Sequence, residues 1–149
     1  MSKKQWGNAT WYLFHTLAYK LKPEFCSEVP ILMDYVYTIC NNLPCPVCQA
    51  HAMKRLSTFN KASITSNEKL ILFLWSFHNN INESLQLPIY TFDEMNAKYK
   101  TSSTVNIIKY FVSTMKSAKY ISLMGSFNRD TYITKFITYI SNNIHKFYS

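Results

Sequence analysis

Glycine is almost missing from this sequence: two glycines and five prolines punctuate 149 residues, too few for the tight turns that join short strands. That scarcity predicts an all-α fold of long helices with short connections. Acidic residues are also few, eight against sixteen Lys and Arg, which leaves a net charge of +8. Such a charge suits nucleic acid, acidic proteins or anionic lipid. The basic residues are scattered, however (Lys54 with Arg55, Lys98 with Lys100, Lys116 with Lys119), and form no dense run, so direct nucleic-acid binding is not expected. No stretch approaches the roughly 18 uninterrupted apolar residues of a membrane span. Residues Met1 to Lys4 show neither the apolar segment nor the cleavage site of a secretory leader. A cytoplasmic protein is therefore expected, without internal repeats or low-complexity tracts.

What is present is apolar and aromatic, 48% and 16% of the residues respectively, enough to bury one core. The spacing predicts a first helix over Gln5–Leu21, with Trp6, Thr10, Leu13, Phe14, Leu17 and Leu21 on one face. Trp11, His15 and Tyr19 form a second stripe on nearly the opposite side, which must meet a ligand, a partner or a second copy. A second helix starts near Ser27 and stops at the Asn41-Asn42-Leu43-Pro44 break, a third runs from Cys45 to about Phe59, and a fourth ends before Pro88. A short fifth covers about Thr91–Tyr99. Residues 1–100 are read as the functional core and 101–149 as a helical extension. Its two amphipathic segments, Val105–Met115 and Ile133–Phe147, are separated by a loop around Gly125.

Four cysteines in a cytoplasmic chain point to catalysis or metal binding before a structural disulfide framework. Cys45-Pro46-Val47-Cys48 places a C-x-x-C pair at a helix start, where free N–H groups and the macrodipole lower a thiol pKa. The spacing closes a small disulfide that a substrate thiolate can open. The same residues admit a metal reading, with Cys45, Cys48 and His51 as three ligands and His78 or another cysteine as the fourth. A thioredoxin-like arrangement is weaker, since no alternating strand pattern accompanies the motif.

Three segments read together carry a more specific signal. Trp6-Gly7-Asn8-Ala9-Thr10-Trp11-Tyr12-Leu13-Phe14-His15, Leu43-Pro44-Cys45-Pro46-Val47-Cys48-Gln49-Ala50-His51-Ala52 and Phe77-His78-Asn79-Asn80-Ile81-Asn82 resemble, in order, three motifs of the Erv/ALR sulfhydryl oxidases. These are the W-x-x-x-H helix, the redox C-x-x-C with its trailing histidine, and the H-N-x-x-N helix. The likeness covers Trp6 to about Tyr99 and is nearest to the branch from large cytoplasmic DNA viruses. It implies a four-helix bundle with a short fifth helix and non-covalent FAD against the C-x-x-C disulfide. It also implies a homodimer through the first two helices, and a reaction that turns two thiols and O2 into a disulfide and H2O2. Cys45 would exchange with the substrate and Cys48 would pass electrons to the flavin. Gly7, Asn8, Trp11, His15, Tyr19, His51, Trp75, His78, Asn79, Asn82 and Tyr99 would form the cofactor site.

Asn8 and Leu87 depart from the arginine and lysine common in that family, and Phe73 from a tryptophan. Cys26 and Cys40 are not a shuttle pair. On one helix their fourteen-residue separation would span roughly 21 Å, beyond disulfide reach. The substrate is then a protein dithiol oxidised directly, or a small redox relay protein, with virion proteins as the expected destination. A zinc-binding or cofactor-free helical adaptor is the alternative, told apart by flavin absorbance.

Overall fold

Ser2 and Gln5 start the chain's first helix by capping each other. In the computed structural model, which describes residues 2–149, the Gln5 N–H donates to Ser2 Oγ while the Ser2 N–H donates to Gln5 Oε1 at 2.9 Å. Two otherwise unpaired donors are thereby satisfied, and α1 runs Lys3–Lys20. A 3-10 stretch, Pro23–Glu28, leads into α2, Val29–Cys40. Cys45 caps α3, Pro46–Leu56, with Pro46 at the first helical position where its missing N–H costs nothing. Ser66, Thr91, Ser103 and Ser122 cap the remaining helices with their hydroxyls: α4 over Asn67–Ser84, α5 over Phe92–Tyr99, α6 over Thr104–Ser117 and α7 over Leu123–Asn143. Among the described residues all regular structure is helical apart from one isolated bridge between Leu21 and Phe147. The expected all-α class, a bundle with a short fifth helix and two further helices, is what the chain forms.

Four phenylalanines on four helices, Phe14 of α1, Phe77 of α4, Phe111 of α6 and Phe136 of α7, are buried in one continuous apolar cluster. Residues 101–149 thus share a core with residues 1–100. The end of the chain is stitched back as well: the Tyr148 N–H donates to Lys20 O (2.7 Å), the Lys22 N–H to Lys146 O (2.9 Å) and the Thr104 N–H to Ser149 O (3.1 Å).

α1 lies at the centre. Six consecutive residues, Leu13 to Ala18, are each between 0 and 4% exposed, more than one full turn, so the helix is covered on every side there. α4, α5 and α6 all pack on it, α6 most extensively. The apolar excess of α1, including buried Trp6, is met within the chain.

Three boundaries differ from the sequence reading. α3 ends at Leu56, before Phe59. Gly125 is not in a loop: it lies in the first turn of α7, its N–H donating to Ser122 Oγ at 2.9 Å. Periodicity missed this turn because Leu123, Met124 and Phe127 are exposed and mark no inward face. Ile144 and Phe147 lie past the end of α7, in and just after a 3-10 turn over Ile144–Lys146.

Candidate functional site

Cys45 and Cys48 are joined by a disulfide across the first turn of α3, with their Cα atoms 5.1 Å apart. The Cys48 N–H donates to Cys45 Sγ at 3.2 Å, so one of the unpaired donors of the helix start is aimed at sulfur. Both cysteines are half-buried, while Pro46 and Val47 between them are exposed. Gln49 Nε2 donates to Leu43 O (2.6 Å) and braces the approach to the pair. One turn on, His51 Nε2 meets Ser84 Oγ at 2.9 Å, which ties the redox turn to the C-terminal end of α4. Burial, and then the charges of Arg55, Lys3 and Lys54, hold the His51 imidazole below its ordinary range.

Six residues back from Ser84 along α4, about 9 Å by helical rise, His78 begins an aromatic and imidazole cluster. Its ring lies flat on Trp11, with centroids 3.9 Å apart and planes within 5°. His78 Nδ1 meets His15 Nε2 at 2.9 Å, and His15 in turn packs on Tyr99 at 4.7 Å. Tyr19 closes the row beside Tyr99, its hydroxyl donating to Asn96 Oδ1. Burial, His78 and Lys98 keep the His15 imidazole well below its ordinary range. Burial and Lys98 bring His78 down to about 4. Both rings are therefore neutral at pH 7. His15 Nδ1 is buried without any hydrogen-bond partner, a cost that a bound polar group would remove.

Lys98 is the residue the sequence reading missed. Its ammonium stands over the rings of Tyr12 (4.7 Å), Tyr99 (5.4 Å) and Tyr90 (5.5 Å), and burial lowers its pKa. The available signal was its position next to Tyr99 in the last turn of α5. Trp11 lying flat on His78 with His15 and Tyr99 beside them, an orphaned ring nitrogen and the Lys98 ammonium over neighbouring tyrosines fit a flat aromatic group linked to an anionic one.

The other expected residues divide. Trp75 Nε1 and Asn79 Nδ2 both donate to Tyr90 O (2.9 and 2.8 Å), and Asn79 Oδ1 accepts from the Tyr90 N–H (2.9 Å). Asn82 Nδ2 donates to Pro88 O (3.0 Å). These side chains fasten the α4–α5 connection, which carries Tyr90 against His78. Gly7 stands beside open space and Asn8 is exposed, both on the first turns of α1. Phe73 is buried between Phe59 and Phe77, and Leu87 is exposed. The metal reading required Cys45, Cys48 and His51 around one point, with His78 or another cysteine as the fourth ligand. Instead His51 binds Ser84, His78 binds His15, and among the described residues no group of three potential ligands converges. Cys26 is exposed and Cys40 buried, both free, and burial pushes the Cys40 thiol up.

Comparison with known proteins finds that the Erv1/Alr family matches residues 8–102. A protein of Invertebrate iridescent virus 3, provisionally named a FAD-linked sulfhydryl oxidase, is 32% identical over 57% of this chain and 59% of its own length. A FAD-linked sulfhydryl oxidase of African swine fever virus is 28% identical over 70% of this chain and 87% of its own. A third, from Oryza sativa, is 29% identical over 66% of this chain and 51% of its own. The chain thus spans less than two thirds of the length of two of these three relatives. No solved structure matches it.

Proposed function

The chain belongs to the Erv1/Alr family, and from that premise we propose that it is a FAD-linked sulfhydryl oxidase that makes disulfides in protein substrates. The observation that carries this reading is the Cys45–Cys48 disulfide at the start of α3, tied through His51 and Ser84 to the helix that bears His78.

A substrate thiolate attacks Cys45 Sγ. The S–S bond breaks, a mixed disulfide forms, and Cys48 leaves as a thiolate inside the first turn of α3, where free N–H groups stabilise negative charge. The second substrate thiolate then attacks the substrate sulfur of the mixed disulfide and displaces Cys45, whose departing sulfur accepts the Cys48 N–H. Two thiols have become one disulfide, and two electrons and two protons now reside on the enzyme dithiol. FAD, bound non-covalently, supplies the chemistry that takes those electrons from the dithiol and delivers them to O2, giving H2O2. Trp11, His15, His78, Tyr99 and Tyr19 would hold it by ring faces and the free His15 Nδ1, and Lys98 by charge on its diphosphate. Trp75, Asn79 and Asn82 position the α4–α5 connection that completes this wall.

A homodimer through the first two helices, α1 and α2, is the proposed working unit, and the exposed Ile31 of α2 is available to it. Residues 1–100 carry the redox chemistry and 101–149 serve it as a packed extension. The proposed setting is the cytoplasm, where thiols are otherwise kept reduced, with virion proteins as substrates. Among the described residues no helix is long and apolar enough to cross a membrane.

The test is an absorbance spectrum of the purified protein with oxygen uptake on dithiothreitol. Flavin bands at one per chain, and turnover that disappears in Cys48→Ser, are expected. A colourless protein holding stoichiometric zinc would overturn the reading in favour of an adaptor.

A further inference from the structure

A groove of about 580 Å³ runs between α2 and α7. One wall is Thr38, Asn41 and Asn42 at the C-terminal end of α2; the other is Asn128, Thr131 and Lys135 on α7. The groove ends beside the redox pair in sequence, since only Leu43 and Pro44 lie between Asn42 and Cys45, a step of at most about 11 Å of chain.

This end of the groove is held firmly. The Tyr120 hydroxyl donates to Asn42 O. Buried Arg129 reaches from α7 to the last carbonyls of α6, donating to Met115 O (2.6 Å) and Ala118 O (3.0 Å), and its guanidinium lies 4.9 Å from the Tyr120 ring centroid. The corner between α6 and α7 is therefore latched to the loop that carries Cys45. Yet what it presents to water is apolar: Ile121 and Leu123 are 88% and 89% exposed, Met124 and Phe127 65% and 64%. Ordering a buried arginine in order to hold four apolar side chains in solvent is costly unless they meet something. Met124 stands one turn before Asn128 on the stripe that continues through Thr131 and Lys135, so apolar corner and polar groove form one continuous track.

We propose that this track docks the substrate of the oxidase, an extended polypeptide segment with large apolar side chains beside its cysteines; the proposal rests on the sulfhydryl oxidase reading. Among the described residues the side-chain amides of Asn41 and Asn128 make no hydrogen bond, and each offers a donor and an acceptor to the N–H and C=O groups of an extended chain. The apolar corner takes its large side chains, and Val47, exposed between the two cysteines, offers a further apolar side chain at the disulfide itself. The net charge of +8 favours neutral or acidic segments over basic ones.

The experiment compares wild type with the double variant Leu123→Ser, Phe127→Ser on three reductants. These are dithiothreitol, a short peptide with two cysteines flanked by Leu and Phe, and the same peptide with those flanks changed to Ser. The variant residues are exposed, and a thermal melt checks the fold. Wild type should favour the apolar peptide by about tenfold in kcat/KM, the size expected from one or two buried side chains. The variant should lose that preference through KM while dithiothreitol turnover stays unchanged. Equal turnover of the two peptides by wild type would overturn the proposal, as would a variant slowed equally on dithiothreitol. Two further outcomes also overturn it, each with peptide kinetics unaffected. One is a wild-type dimer by light scattering that the variant breaks, which makes the corner a self-association face; the other is sedimentation with phosphatidylserine vesicles that the variant abolishes. If wild type does not oxidise dithiothreitol at all, the oxidase reading has failed and not merely the docking surface.

Discussion

The Trp11 indole lies on the His78 imidazole at 3.9 Å, with planes within 5°, and His78 Nδ1 shares a hydrogen bond of 2.9 Å with His15 Nε2. A residue from the middle of α1 and one from α4 thus form a single stacked unit, and burial keeps its imidazoles uncharged.

That unit makes stability depend on pH. Both histidines have folded pKa values below the unfolded value of 6.5, about 4 for His78. Below pH 6.5 the unfolded chain binds protons that the folded chain refuses, so stability is full above 6.5 and is lost as pH falls toward 4. The slope reaches up to about 1.4 kcal/mol per pH unit for each histidine. Urea midpoints at pH 7.5 and 5.5 should show the loss, and His78→Gln should reduce it. A midpoint that does not move between these pH values would contradict the burial of the pair.

Lys98 sets the charge of the same site. Lys98→Ala should weaken cofactor binding by about tenfold, the scale of one charge-assisted contact, while Lys98→Arg retains most of it. The affinity of wild type, but not of the alanine variant, should fall as salt rises. Because Lys98 lowers the His78 pKa, the alanine variant should also show the His78 imidazole titrating at higher pH by NMR, a change that loss of packing alone does not produce.

Phe111 is fully buried in α6 within the cluster that joins α1, α4 and α7. Phe111→Ala should cost about 3–5 kcal/mol in one cooperative transition that removes the redox site as well as the C-terminal helices. Light scattering of wild type at micromolar concentration should give the mass of two chains. Two separate unfolding transitions would show that α6 and α7 are an appendage, and the mass of one chain would overturn the dimer.

Much of the bundle could be read from local pattern. Trp6, Leu13, Phe14 and Leu17 mark the inner face of α1, and Pro46 after Cys45 marks the start of α3, because helical period and capping depend on neighbours a few residues apart. The first turn of α7 could not be read from period. Its apolar residues point outward, and what anchors it is Arg129 bonding to carbonyls of α6, more than ten residues back. Asn79 and Asn82 illustrate another limit. Their spacing placed them on one helix beside His78, but whether their amides face a ligand or the α4–α5 connection depends on where Tyr90 and Pro88 lie.

The sequence by itself determined the helices, the redox pair at the cap of α3 and the family to which three short motifs belong, since each is written in spacings within one segment. Tertiary structure alone decided that α6 lies along α1, that Lys98 is the cation over the tyrosines beside His15, and that Tyr120 fastens an exposed apolar corner to the redox loop. The contacts that bring α6 onto α1, Lys98 onto Tyr12 and Tyr120 onto Asn42 join distant parts of the chain, and packing of the whole chain, not periodicity within any one helix, sets which residues meet.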